Sequence, residues 1–207
     1  MPEITAVLAR WGKARVFVDG EFWAEIDAGV AEERGLREGV ALSLEELVEA
    51  RIAGERALAM SRALSFLGYR ARSEKEVRDR LRRYGYGEDT VECVVGRLKE
   101  LGYLDDADFA RSVAREKARR YGPRRISAEL RKSGVDAELA HDVVDEEFAG
   151  RSEMEEARSV AARRYNRGRS DAEARKVYGF LVRRGYSVEV CAEVAREYCE
   201  AWGPKNS

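Results

Sequence analysis

The 207-residue chain is close to neutral, with a formal charge of −1, yet 37% of its residues are charged and 44% are hydrophobic. That charged share lies far above the roughly 25% of ordinary globular chains, and with enough apolar residues to build cores it points to helices with wide solvated faces and excludes wholesale disorder. No run approaches ~18 consecutive apolar residues, which excludes an apolar membrane-spanning helix, and the cysteines Cys93, Cys191 and Cys199 form no CxxC pair that would suggest a disulfide framework or a zinc site.

The N-terminal MPEITAV has no basic region leading into an apolar run, so it does not read as a signal peptide. With reduced thiols, the expectation is a soluble cytoplasmic protein. The first element is a β-hairpin: Val16-Phe17-Val18 and Phe22-Trp23-Ala24 flank Asp19-Gly20, a strong type I′ turn signal. Next, SLEELVEARIAG carries Ser43 and Glu46 at capping-box spacing and opens a short helix.

From about residue 54 the apolar spacing becomes helical and repeats. LRRYGY at 81–86, LRKSGV at 130–135 and LVRRGY at 181–186 align, each with a leucine at the start and a helix-ending glycine at Gly85, Gly134 or Gly185. Val77, Ile126 and Val177 sit four residues before those leucines, on the same helix face. Downstream, Val91 and Val95, Leu139 and Val143, and Val190 and Val194 are i, i+4 pairs. Ser73 with Glu76 and Ser170 with Glu173 read as capping boxes; Gly122-Pro123 takes that place in the middle copy. Asp105 or Asp106, and Ser152, read as caps of the helices that open the second and third copies. The fold expected is therefore mainly α: three tandem three-helix repeats preceded by a small N-terminal β-hairpin and short helix. The boundaries read as 1–53 for the hairpin and helix, then 54–105, 106–150 and 151–207 for the repeats. The units are self-contained, so a monomer is expected.

Catalytic motifs are missing from the sequence. There is no GxxxxGK[ST], GxGxxG, HExxH or GxSxG pattern. The one histidine, His141, has neither a cysteine nor a metal cluster at helical spacing, and Asp105, Asp106 and Asp108 suit a helix start better than a metal site. No cofactor is implied. The clustered aromatics Tyr84, Tyr86, Tyr103, Phe109, Tyr121, Tyr165, Tyr178 and Tyr186 read mostly as packing for the repeat cores.

Charge is distributed unevenly. Residues 1–61 carry 7 basic and 12 acidic side chains, residues 62–132 carry 19 and 12, and residues 133–207 carry 12 and 15. The excess of arginine recurs where the first helix of each repeat gives way to the second. Repeat one has Arg70 and Arg72. Repeat two has Lys117, Arg119, Arg120, Arg124 and Arg125 around Gly122-Pro123, with Lys132 further on. Repeat three has Arg163, Arg164, Arg167 and Arg169. Guanidinium pairs bidentately with carboxylates and phosphates, so these residues are the candidate contacts to an anionic partner.

Three stretches carry a family resemblance: YRARSEKEVRDRL at 69–81, LKELGYLDDADFARSVAREKARRYGPRRISAEL at 98–130 and RKSGV at 131–135. In their R-x-R-S-x-x-E start, GYLDD-x-x-FA junction and G-P-x-x-I turn, the chain resembles the RecX family of bacterial regulators of the RecA recombinase. The resemblance implies a non-enzymatic protein that binds the RecA filament, inhibits or destabilises it, and so modulates recombination, RecA ATPase and SOS co-protease activity. It also implies direct contact with single- or double-stranded DNA in some members. The alternative on the same arginines is a stand-alone DNA-binding protein of helix-turn-helix-like units; a helical-repeat scaffold for another protein is a third reading.

Overall fold

The structure is a computed structural model that describes residues 1–165 and 170–199. It divides into two compact units, Met1–Asp105 and Asp106–Ser207.

The first unit opens with an antiparallel three-stranded sheet: β1 (Ile4–Arg10), β2 (Lys13–Val18) and β3 (Glu21–Asp27), in the order β1-β2-β3. Alternation decides which face is covered. Ala14 and Val16 of β2 and Ala24 and Ile26 of β3 are buried, while Arg15 and Glu25 between them point to solvent. Asp19 and Gly20 both have positive φ, 50° and 84°, as the expected type I′ turn requires. The sheet has one strand more than the hairpin read from sequence. Trp11-Gly12 makes a second positive-φ turn, with φ of 51° and 75°, which folds β1 onto β2. A short helix α1 (Ala28–Glu33) follows, its first amides held by the Asp27 carboxylate.

Helix α2 (Leu44–Leu67) starts at the expected capping box, Ser43 with Glu46, and then runs for 24 residues. The short helix and the first helix of the first repeat are thus one continuous helix. Gly54 does not end it. A Cβ at Gly54 would lie 2.4 Å from the Ile26 Cβ, so the glycine provides the space in which α2 crosses β3. The N-terminal part of α2 covers the sheet, with Ala50 in that core. Its C-terminal part supplies Ala59 and Ala63 to a bundle with α3 (Glu74–Arg83) and α4 (Glu88–Glu100).

The second unit holds α5 (Asp106–Lys117), α6 (Pro123–Lys132) and α7 (Ala137–Phe148), followed by α8 (Glu153–Ala162), α9 (Asp171–Arg184) and α10 (Val188–Arg196). The internal repeat is visible in the cores. Val77 and Leu81, Ile126 and Leu130, and Val177 and Leu181 are all fully buried at equivalent places on α3, α6 and α9. Each of these helices stops at a left-handed glycine, with φ of 87°, 94° and 86° at Gly85, Gly134 and Gly185. Most starts behave as expected; at α9 only the Ser170 half of the expected capping box forms among the described residues. Ser73 and Glu76 form a reciprocal capping box on α3, Ser152 caps α8, Ser170 caps α9, and Pro123 occupies the first turn of α6.

Candidate functional site

In the first unit the two arginines of the corner between α2 and α3 share one counter-ion. Arg70 donates to the Glu76 carboxylate at 2.7 Å, and Arg72 lies 3.6 Å from the same group. Arg72 also rests on the Phe66 ring at 4.0 Å, with 16% of its side chain exposed. Burial, aided by the adjacent Arg70 charge, pushes its guanidinium below the usual arginine range. Arg72 therefore fastens the chain to its own core, and Arg70 is the more accessible of the two. The capping-box pattern revealed Glu76 as a helix cap and gave no sign of its second use as a counter-ion.

The corner between α5 and α6 behaves differently. Lys117 is paired with Glu129 nearly two turns along α6. Arg125 reaches across to the third repeat, where it donates to the Arg183 carbonyl at 2.6 Å while its guanidinium covers Tyr121 at 4.2 Å. Arg119, Arg120 and Arg124 are left exposed, and none of them has an ion-pair partner among the described residues. Lys132 is exposed at the end of α6.

The second and third repeats meet directly at this corner. The Gly122 amide donates to the Arg184 carbonyl at 2.8 Å, and the Arg124 amide to the Gly185 carbonyl at 3.2 Å. Arg184 returns the Arg125 contact, donating to the Arg120 carbonyl at 2.6 Å. A Cβ at Gly122 would stand 2.6 Å from the Gly185 oxygen, and one at Gly185 2.4 Å from Arg125. The two glycines that end or begin helices in the sequence thus also allow two backbones to touch.

Two hollows border the junction. One, of about 490 Å³, brings Arg119 and Arg163 together with Arg151, Glu156 and Tyr186. Tyr186 is 2% exposed, its hydroxyl has no hydrogen-bond partner among the described residues, and burial pushes its phenol up to about 12. The other, of about 320 Å³, gathers Arg125, Arg164, Arg183 and Arg184 around Tyr121 and Phe180. Arg183 and Arg184 were not singled out from sequence, although their signal is there: they are the basic pair of LVRRGY, the third copy of the helix-end motif. Arg167 and Arg169 lie outside the described residues. Arg70 and Arg72 belong to the other compact unit.

The remaining candidates are ordinary. His141 is exposed beside Asp145, with its Nδ1 3.3 Å from the carboxylate. Asp106 opens α5, and Asp108 pairs with Arg111 at 2.9 Å. Among the described residues no group of three or more His, Cys, Asp or Glu side chains could hold a metal ion, and no helix is long and apolar enough to cross a membrane. Of the aromatics, Phe109 and Tyr186 are buried, and Tyr86, Tyr121 and Tyr165 pack at core edges. Tyr84, Tyr103 and Tyr178 are exposed.

Comparison with known proteins matches three family models along the chain. They are the first, second and third three-helix domains of RecX, at residues 59–98, 105–144 and 152–194. A "Regulatory protein RecX" of Lactobacillus johnsonii is 33% identical over 156 residues, covering 72% of this chain and 58% of the relative. Relatives of the same name from Listeria monocytogenes and Clostridium botulinum are each 28% identical; they cover 88% and 89% of this chain, and 69% and 89% of their own length. A crystal structure of RecX from Lactobacillus salivarius superposes with a TM-score of 0.60 at 26% identity, covering 70% of this chain and 97% of that one. A second crystal structure, of regulatory protein RecX, reaches a TM-score of 0.64 over 95% of this chain and 100% of that one; at 23% identity it speaks for the fold alone.

Proposed function

Because the chain belongs to the RecX family of regulatory proteins, we propose that it binds RecA nucleoprotein filaments and inhibits or destabilises them, with the exposed arginines of the α5–α6 corner as its main contact. The observation that carries this reading is the set Arg119, Arg120 and Arg124, which are exposed on one turn and lack ion-pair partners among the described residues. Exposed guanidinium without a carboxylate keeps its donors available. A filament built on DNA presents phosphates and carboxylates, the two groups that guanidinium pairs with bidentately.

The action is non-enzymatic: binding across filament subunits disturbs their packing and needs no bond to be made or broken. Repeats bounded at 54–105, 106–150 and 151–207 act as successive contact modules, each with helices of roughly 18 Å. Arg163 and Arg164 extend the contact into the third repeat, and Arg70 contributes from the first.

The test compares wild type with Arg119→Ala/Arg120→Ala/Arg124→Ala for inhibition of RecA's ATP turnover on single-stranded DNA. The triple variant is expected to keep its helical circular dichroism and to need at least about tenfold more protein for half-inhibition, the equivalent of ~1.4 kcal/mol of lost binding. Inhibition at the wild-type concentration removes this corner from the contact. No effect of the wild-type protein on ATP turnover or filament length discards the reading itself.

A further inference from the structure

We propose that the cup formed by Arg125, Arg164, Arg183 and Arg184 binds one phosphate-type anion and that the bound anion ties the second and third repeats together.

Among the described residues the cup has a single sign of charge: its lining is four guanidinium groups and two aromatic rings, with no carboxylate. None of the four has an ion-pair partner among the described residues, although this chain pairs its arginines elsewhere, as at Arg78, Arg82, Arg111 and Arg158. Like charges gathered in one hollow repel, and an anion between them removes that repulsion.

The aromatic floor orients the donors. Arg184 lies 5.2 Å from the Tyr121 ring and 4.8 Å from Phe180, Arg125 lies 4.2 Å from Tyr121, and Arg164 lies 5.2 Å from Phe180. A guanidinium spread over a ring directs its N–H groups outward along its own plane. Arg125 and Arg184 each spend one N–H on a carbonyl across the repeat boundary, which leaves further donors on each fork. The space of about 320 Å³ holds a phosphate with several waters, given the ~30 Å³ that one water occupies in the liquid.

The coupling follows from where the four residues come from. Arg125 belongs to α6 of the second repeat. Arg183 and Arg184 end α9, and Arg164 follows α8, both in the third. An anion held by residues of both repeats binds the docked junction better than the opened one, and it shifts the equilibrium toward docking by that difference. The amides that report docking are those of Gly122 and Arg124, which donate to Arg184 and Gly185.

The anion can be a free polyphosphate or the backbone of a nucleic-acid strand; the chemistry is shared. The experiment follows hydrogen exchange of the Gly122 and Arg124 amides in the full chain, at constant ionic strength. Inorganic pyrophosphate forms one arm, a short single-stranded oligothymidine a second and chloride alone the baseline. Slower exchange, by about tenfold at ten times the half-saturating concentration, is expected in at least one of the first two arms. Slowing by pyrophosphate assigns the site to free phosphates, and slowing by the oligonucleotide alone assigns it to a strand. Arg164→Gln/Arg183→Gln, whose side chains make none of the cross-boundary hydrogen bonds, should abolish the response. Arg175→Gln/Lys176→Gln, which removes the same charge from α9 outside the cup, should keep it. No slowing in either arm, or equal slowing in the cup variant, overturns the proposal, as does loss of the response in the control pair. None of these outcomes depends on RecA, so the cup and the filament reading fail separately.

Discussion

Arg70 and Arg72 are two residues apart and equally basic, yet they do different work. Arg72 is four-fifths covered, lies on Phe66 and shares Glu76, while half of the Arg70 side chain faces water. Truncation should separate them. Arg72→Ala loses a stacked and packed side chain and is expected to cost about 1–2 kcal/mol of stability. Arg70→Ala loses one exposed ion pair and should cost under about 1 kcal/mol. Urea midpoints of the two variants check this, and equal losses would contradict the difference in burial. Cys191 and Tyr186, both in the core of the third repeat, make a second residue-scale case. Burial pushes the thiol from 9.0 up to about 11 and the phenol from 10.0 up to about 12. Both folded values are raised, so the folded state disfavours the ionised forms. The stability these two groups contribute is full below the unfolded values and is lost as pH rises through the folded ones. Urea melts should therefore hold steady from neutral pH to about 9 and lose midpoint steadily from there to about 12. At pH 8 a thiol reagent should modify exposed Cys93 and spare Cys191 until the chain unfolds.

At the scale of elements, glycine is used in two ways that look the same in sequence. Gly85, Gly134 and Gly185 end helices in the left-handed region, which any alignment of the repeats reveals. Gly54 and Gly122 have ordinary helical or extended neighbours and are needed because another chain segment passes close by. That requirement is invisible until the partner segment is known. It explains why the helix expected to end near residue 54 runs on as α2: nothing in the local sequence says that Ile26 lies against it. Alanine exposes the contrast. Gly122→Ala sets a methyl group against the Gly185 backbone and is expected to cost about 1–3 kcal/mol. Gly96→Ala, where no atom lies within 4 Å of the new methyl in the exposed part of α4, should stabilise by up to about 1 kcal/mol. Opposite shifts in urea midpoint, with faster amide exchange in α6 and α9 for Gly122→Ala alone, would confirm that the second and third repeats are docked through this glycine.

For the whole molecule, a net charge of −1 hides a basic corner, and salt is the way to read it. If the three free arginines meet phosphates, log affinity for single-stranded DNA should fall with log salt at about −0.7 per phosphate neutralised. The Arg119→Ala/Arg120→Ala/Arg124→Ala variant should then lose roughly two units of slope. A slope unchanged by the triple substitution would place those arginines against protein. The repeat architecture was legible in the sequence because packing and capping act over three or four residues. Val77 with Leu81, Ile126 with Leu130 and Val177 with Leu181 announce a buried helix face three times, and each glycine announces its end. The excess of arginines at the corners was legible as well. What the local pattern could not contain was how that charge is spent. Glu76 and Glu129 neutralise two corner residues, Phe66 covers a third, and Arg125 is drawn into the neighbouring repeat. Arg183 and Arg184, some sixty residues further along the chain, complete the cup. The sequence alone determined three helical repeats with arginine at their turns, since periodicity and caps are short-range. Only the tertiary structure decided which arginines stay available, because a charge is quenched by whatever the fold brings within a few ångströms, at any distance along the chain.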